Sequence, residues 1–343
     1  FRGLTIALMI LVNTPGTWEA VYPPLRHADW HGYTPTALVF PFLLFIVVTS
    51  SVFAYQNKQQ GPEVYRKIVV RTLKLIGLGL FLGAFTISFP FILPFEEIRF
   101  PGVLQRIGLV FFAASILYLN FNWKVLLGIA TTILLGYWIW MGFIPLEGQA
   151  PTFERAANNW ANYLDLNVLG THMYKPDYDP EGLLSTLPSI VSALLGVFTG
   201  LLLVGERAEK TRSMILMGVG MLVLGYLWDL VFPINKALWS SSFVLVTAGW
   251  ANLVLALIYY LTDVRGLRFG SIFKYAGANA ITVYFLSSFI TNIFYQKKNE
   301  AGVSIHEQLF NTLYVYEGIP PEFSSLLYGL TVTGFYLLLG WWM

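Results

Sequence analysis

The chain has 343 residues, of which 56% are hydrophobic, 17% aromatic and only 12% charged, with a formal net charge of +2 and a mean hydropathy of +0.62. Soluble domains carry about 25% charged residues, so this composition excludes a water-soluble globule, a disordered chain and a nucleic-acid binder. Cysteine is absent, which excludes disulfides, thiolate metal sites and a thiol nucleophile.

Crossing a bilayer takes roughly 20 mostly apolar residues. Stretches free of Asp, Glu, Lys and Arg run 3–18, 30–57, 75–95, 107–123, 125–146, 182–205, 213–228, 237–262, 275–296 and 323–343. They predict an all-α polytopic membrane protein with about ten transmembrane helices. Continuous apolar runs do not alternate as barrel strands must. The first stretch reads as a truncated spanning helix, without the cleavage signature of a signal peptide.

Basic residues set the expected orientation. With the N-terminus cytoplasmic, the inner side receives Arg2, Lys58, Arg66, Lys67, Arg71, Lys74, Lys124, Arg207, Lys210, Arg212, Arg265, Arg268 and Lys274, against only Glu63, Glu206, Glu209 and Asp263. The inner margin is then +9 and the outer −7. Losing one helix midway scrambles this pattern, so count and orientation support each other. The reading is of one transmembrane domain over 1–343 with two long outer loops, 142–182 and 296–323. Within the second, the run V-S-I-H-E-Q-L-F-N-T-L-Y predicts a short amphipathic helix. No inverted repeat of the transporter kind is evident.

Polar residues at or inside spans are costly and therefore informative. Asn13 closes the first span, and His27, Asp29 and His31 stand at the mouth of the second. Gln105 and Arg106 open the fourth, Asp179 and Glu181 the sixth, and Trp239 and Ser240 the eighth, while Asn279 lies within the ninth. All but Asn279 fall toward the outer face, which implies a shared polar cavity. Singly, each has a structural explanation. D-P-E-G is a good helix cap, Arg106 can snorkel, and Asn279 can join two helices. His27 and His31 have i, i+4 spacing, but Gly32 and Pro35 oppose a helix there and no third ligand is evident, so no metal is expected. Walker, nucleophile-elbow and dinucleotide fingerprints are absent.

Six ordered motifs carry a resemblance: F-R-G-L-T-I-A-L-M-I-L-V-N, R-H-A-D-W-H-G-Y-T-P-T-A-L-V-F-P-F, R-F-P-G-V-L-Q-R-I-G, D-P-E-G-L-L-S-T-L-P-S-I, K-A-L-W-S-S-S-F-V-L and G-A-N-A-I-T-V-Y. Together they resemble the heparan-α-glucosaminide N-acetyltransferase family and its bacterial relatives, within the transmembrane acyltransferase superfamily. The resemblance implies acetyl transfer from cytosolic acetyl-CoA to the amine of a glucosamine-type sugar beyond the membrane. It implies functional roles for His27, which falls in the family's H-A-x-W-x-G motif, and for Asn13. It also implies a homodimer in a bacterial inner membrane. One departure stands out. Relatives usually carry Asp before L-V-F-P, a residue suited to orienting the imidazole, and this chain has Ala37, which puts its activity in question.

The resulting expectation has His27 as base or transient acyl carrier and Asn13 as oxyanion donor or ring-orienting group. Asp179, Glu181, Gln105, Arg106, Trp239, Ser240 and Asn279 are expected around the acceptor. The inner cations Arg66, Arg71 and Lys74 suit the phosphates of the donor. Two other readings remain open: a transporter for sugars or cell-wall fragments, and a polysaccharide O-acyltransferase.

Overall fold

The computed structural model describes residues 1–56, 61–206, 209–267 and 270–343; Lys58, Arg207 and Arg268 of the expected inner charges lie outside the described residues. Thirteen α-helices follow in order: α1 (Arg2–Asn13), α2 (Pro35–Tyr55), α3 (Pro62–Ala84), α4 (Val103–Asn120), α5 (Trp123–Phe143), α6 (Trp160–Leu169), α7 (Leu183–Val204), α8 (Lys210–Asp229), α9 (Ser241–Tyr259), α10 (Ser271–Ala278), α11 (Ala280–Gln296), α12 (Ile305–Leu313) and α13 (Pro321–Trp342). Among the described residues there is no β-strand. The protein is an all-α polytopic membrane protein.

Each of the ten apolar stretches carries a helix, but ten is not the count that length and composition give. Among the described residues seven helices qualify as spans, namely α2, α4, α5, α7, α8, α9 and α13, or eight if the bent pair α10 and α11 is one span. α1 has 12 residues, about 18 Å of helix at 1.5 Å per residue, which is short of the hydrocarbon thickness. α3 is long enough, but Glu63, Arg66, Lys67, Arg71 and Lys74 occupy its first half.

α2 is the central helix, with 78% of its apolar window buried, whereas α5 and α8 bury only 28% and 17% of theirs. A helix that is apolar all round and covered on every side belongs to the core, and one left uncovered is solvated by lipid. The closest approach to α2 comes from α7. A Cβ on Gly196 would lie 2.2 Å from the Phe45 carbonyl oxygen, and Thr49 Oγ1, 2.7 Å from the Phe45 oxygen, also reaches the Gly196 oxygen at 2.9 Å. Small residues let backbones meet where lipid offers no hydrophobic drive. Between α10 and α11 the chain turns through 82°, at Asn279, whose Nδ2 donates to the Gly340 carbonyl of α13 at 3.3 Å.

Both long loops contain helix. The expected amphipathic segment is α12, capped by Ser304, which accepts from the Glu307 N–H, and turning His306 and Phe310 inward. The other loop holds α6, capped by Asn159, which accepts from the N–H groups of Ala161 and Asn162.

Candidate functional site

After α1 ends at Asn13, an irregular segment, 14–34, crosses one end of the bundle before Pro35 opens α2. It is pinned from several directions. Arg26 Nε donates to the Val21 carbonyl (2.6 Å), Thr36 Oγ1 to Pro24 (3.2 Å) and Trp30 Nε1 to Phe153 (2.8 Å), while the Gly32 N–H donates to Ile234 (2.7 Å). Gly32 holds φ at +82°, a left-handed conformation that costs a residue with a Cβ far more.

Beneath this segment lies a cavity of about 300 Å³, and Asn13, His27, Ala37, Arg99, Glu181 and Lys236 line it, with Tyr174 and Tyr178 on one wall. The imidazole of His27 is exposed to the cavity, and its Nδ1 lies 3.4 Å from Lys236 Nζ. Protein around the ring displaces bulk water, and the like charge of Lys236 acts in the same direction, so its pKa is pushed down from 6.5 to about 4. The ring is therefore neutral near pH 7, as a base or nucleophile requires.

His31 faces elsewhere. Its Nε2 pairs with Glu154 Oε1 at 3.1 Å and its Nδ1 lies 3.3 Å from Asn235 Nδ2. Among the described residues no group of three or more His, Cys, Asp or Glu side chains converges as a metal site would.

Of the acids expected around the acceptor, Glu181 lines the cavity and Asp179 does not. Asp179 is buried, accepts both Nε and Nη2 of Arg99, and also receives the N–H groups of Tyr174 and Glu181 at 2.8 Å each. Its lone pairs are thus engaged within the wall. Arg99 Nη2 also pairs with Glu181. Burial alone depresses the Arg99 guanidinium, but the bond from Asp179 and the charges of Glu181 and Asp179 outweigh it and hold the group above its ordinary pKa.

Behind them, Asp165 of α6 accepts the Leu183 N–H at 2.8 Å where α7 begins. Desolvation raises this carboxyl to about 6, against the bonds it accepts and the charge of Arg106.

Four further expected residues form packing behind the cavity rather than its lining. Arg106 is fully buried; its Nη2 donates to the Gly182 carbonyl (2.9 Å) and to Ser185 Oγ, and its guanidinium lies 5.2 Å from the Trp239 ring. Gln105 Nε2 donates to the Phe100 carbonyl at 3.1 Å. Trp239 is wholly buried, donates to Ser192 Oγ at 3.0 Å, and meets Phe40 and Phe243 edge-on. Ser240 caps α9.

The opposite end of the bundle carries the expected cations. Arg66, Arg71 and Lys74 line a groove of about 630 Å³ together with Ile281 and Thr282, and Lys67 there is paired with Glu63 at 2.6 Å. Arg71 also lines a deeper cavity of about 340 Å³, shared with Arg2, Asn279 and Tyr284. A third cavity, about 400 Å³, follows along α11, with Ser287, Ser288, Thr291 and Asn292 on its wall. It shares Tyr284 with the Arg71 cavity and Met9, Asn13 and Val103 with the His27 cavity. Successive cavities with common walls thus run from the cationic groove to the imidazole.

Residues 1–227, more than half of the chain, match the family described as heparan-alpha-glucosaminide N-acetyltransferase, catalytic. The chain belongs to this family. Two relatives named heparan-alpha-glucosaminide N-acetyltransferase, from Homo sapiens and Mus musculus, are each 30% identical over alignments 382 and 361 positions long, which cover 90% and 86% of the chain. The chain spans about half the length of these curated relatives, 55% and 53%. The family match contains Asn13, His27, Arg71, Arg99 and Glu181 and ends within α8. Lys236 and Asn279 lie beyond it.

Sequence reasoning missed Arg99, Lys236 and Tyr284. Arg99 had one available signal, its place in R-F-P-G-V-L beside Gln105 and Arg106. Lys236 likewise opens K-A-L-W-S-S-S-F-V-L, but nothing there places it opposite His27, 209 residues away.

Proposed function

We propose that the chain is an acetyltransferase that moves an acetyl group from acetyl-CoA to the amine of a glucosamine-type sugar across a membrane. The observation that carries this reading is the series of cavities joining the Arg66, Arg71 and Lys74 groove to Asn13 and His27. The names of the two relatives support the choice of acetyl group and amino sugar.

The cationic groove holds the phosphates of the donor, where guanidinium groups match phosphate geometry. The thioester end reaches Asn13 along the hydroxyl-lined and amide-lined wall of α11. At His27 the acceptor nitrogen attacks the acyl carbon and its proton passes to the imidazole. The developing oxyanion takes a hydrogen bond from the Asn13 amide, and the C–S bond breaks to release the thiolate. In a two-step route His27 carries the acetyl group transiently; the same cavity serves both. Glu181 and the rings of Tyr174 and Tyr178 receive the aminosugar. The Arg71 end faces the cytosol, as the basic-residue bias requires, and the chain works as a homodimer in the inner membrane.

The test is acetylation of glucosamine by the purified, reconstituted chain with radiolabelled acetyl-CoA. His27→Ala is expected to lower the rate by at least about 100-fold, the usual contribution of a positioned base. Unchanged transfer by that variant overturns the role of His27. Sugar flux without acetylation selects a transporter instead, and acetylation of sugars that have only hydroxyls selects an O-acyltransferase.

A further inference from the structure

Lys236 sits in the turn between α8 and α9, half-buried in the wall of the His27 cavity. Its nitrogen faces the imidazole Nδ1 at 3.4 Å. The carboxylate nearest in the electrostatic sense, Glu181, is already bonded to Arg99. An unusual dyad results, with a lysine where hydrolytic triads place a carboxylate.

The two nitrogens of a neutral imidazole differ: one carries the proton and the other accepts. For Nε2 to take a proton from a substrate, Nδ1 must hold the ring's own proton, and that N–H needs an acceptor. We infer that Lys236, as the neutral amine, accepts the Nδ1 proton of His27 and thereby leaves Nε2 open toward the acceptor substrate. When Lys236 is an ammonium it donates to Nδ1 instead, the ring proton sits on Nε2, and the base is closed. Lys236 is in this sense a positioning residue, and the inference rests on His27 being the base of the proposed acetyl transfer.

Proton and electron accounts balance. The acceptor N–C bond forms as the thioester C–S bond breaks. The acceptor proton moves to Nε2, while the Nδ1 proton stays hydrogen-bonded to the lone pair of Nζ. The coenzyme leaves as thiolate, and Nε2 then returns its proton to that thiolate or to water, which restores the ring with its proton on Nδ1.

The surroundings weaken the ammonium form relative to a lysine in water. Burial lowers the Lys236 pKa and the charge of Arg106 adds to it, against an opposing attraction from Glu181. The other charged or titratable groups at this cavity are Asp29 on the 14–34 segment, Arg99, and Tyr174 and Tyr178 on the 170–182 segment. Of these, Arg99 is occupied by Asp179 and Glu181.

The experiment records acetyl transfer to glucosamine against pH for the unsubstituted chain, Lys236→Arg and Lys236→Met. Arginine keeps its proton throughout this range and can only donate toward Nδ1, so Lys236→Arg is expected to lose about 100-fold at every pH. Lys236→Met is expected to lose less, about tenfold, with its acidic limb displaced from that of the parent. Full activity in Lys236→Arg, or a Lys236→Met profile superimposable on that of the parent, overturns the inference.

A second readout needs no catalysis: ¹⁵N-histidine spectra of the full chain, with His27→Gln assigning the ring. Lys236→Met is expected to raise the His27 titration, and an unmoved titration overturns the contact. If the parent chain transfers no acetyl group, the acetyltransferase reading fails while the spectra still decide the dyad.

Discussion

At the His27 end, the side chains around the cavity come from segments far apart in sequence, and they are held by buried hydrogen bonds: Arg99 to Asp179 across 80 residues, Trp30 to Phe153 across 123. At the Arg71 end, Glu63, Arg66, Lys67, Arg71 and Lys74 all ride on the first half of a single helix, α3, and the salt bridge between Glu63 and Lys67 is exposed. The first arrangement fixes atoms to within a hydrogen bond, which bond-making chemistry demands. The second offers a movable field of positive charge, which suffices to gather a polyanion. On the proposed reading, the difference separates reaction from recruitment, with the partly buried polar contacts gathered at the former.

Three variants sharpen this contrast. The largest effect is expected from Arg99→Ala, which leaves the Asp179 side chain, 0% exposed, without its cation. Removing one partner of a buried pair costs about 3–5 kcal/mol, so thermal unfolding in detergent is expected to move sharply downward, with transfer activity lost alongside. A melting temperature equal to that of the parent would show that the wall does not depend on this pair. An intermediate effect is expected from Arg71→Gln combined with Lys74→Gln. KM for acetyl-CoA should rise roughly tenfold at low salt, with the gap closing as ionic strength screens the remaining cations, while kcat and melting temperature stay near those of the parent. A kcat loss with unchanged KM would place these residues in the chemistry instead.

The smallest is Ala37→Asp. Ala37 lines the same cavity as His27 in the first turn of α2, where a carboxylate is favoured by the helix N-terminus. A negative charge there raises the imidazole above its value of about 4. The acidic limb of the rate profile is expected to shift upward by about one unit, with a gain of a few-fold in rate at neutral pH. An unshifted limb would show that residue 37 does not act on the ring.

Much of the fold was legible because desolvation writes itself locally. Ten apolar runs became helices, and the cap at Ser304 marked α12. What stayed hidden depended on three dimensions. The charges on α3 make it too polar to count as a span by composition, although it reaches 23 residues. The turn at Asn279 was read as lying inside one span, since a polar residue among alanines and a glycine does not announce an 82° bend.

In the site, Asn13, His27 and Glu181 were found because polarity at a span end is conspicuous, and all three line one cavity. By the same signal Trp239, Ser240, Gln105, Arg106 and Asp179 were expected around the acceptor. They form buried hydrogen bonds behind it, because polarity near a span end registers desolvation without saying which side of a wall a group faces. Lys236 opens the run K-A-L-W-S-S-S-F-V-L, but its relation to His27 exists only once α8 and α9 have folded back toward the 14–34 segment.

The break at Asn279 also bears on tightness. A bilayer tolerates interrupted helix only where the freed backbone groups find protein partners or water, and Asn279 stands on the wall of the Arg71 cavity. An opening polar enough to admit a charged cargo halfway through the barrier admits hydronium and small ions as well. On the proposed transfer route, insulation against leakage falls to the apolar shoulders beyond Tyr284, where Met9 and Val103 line both of the next two cavities.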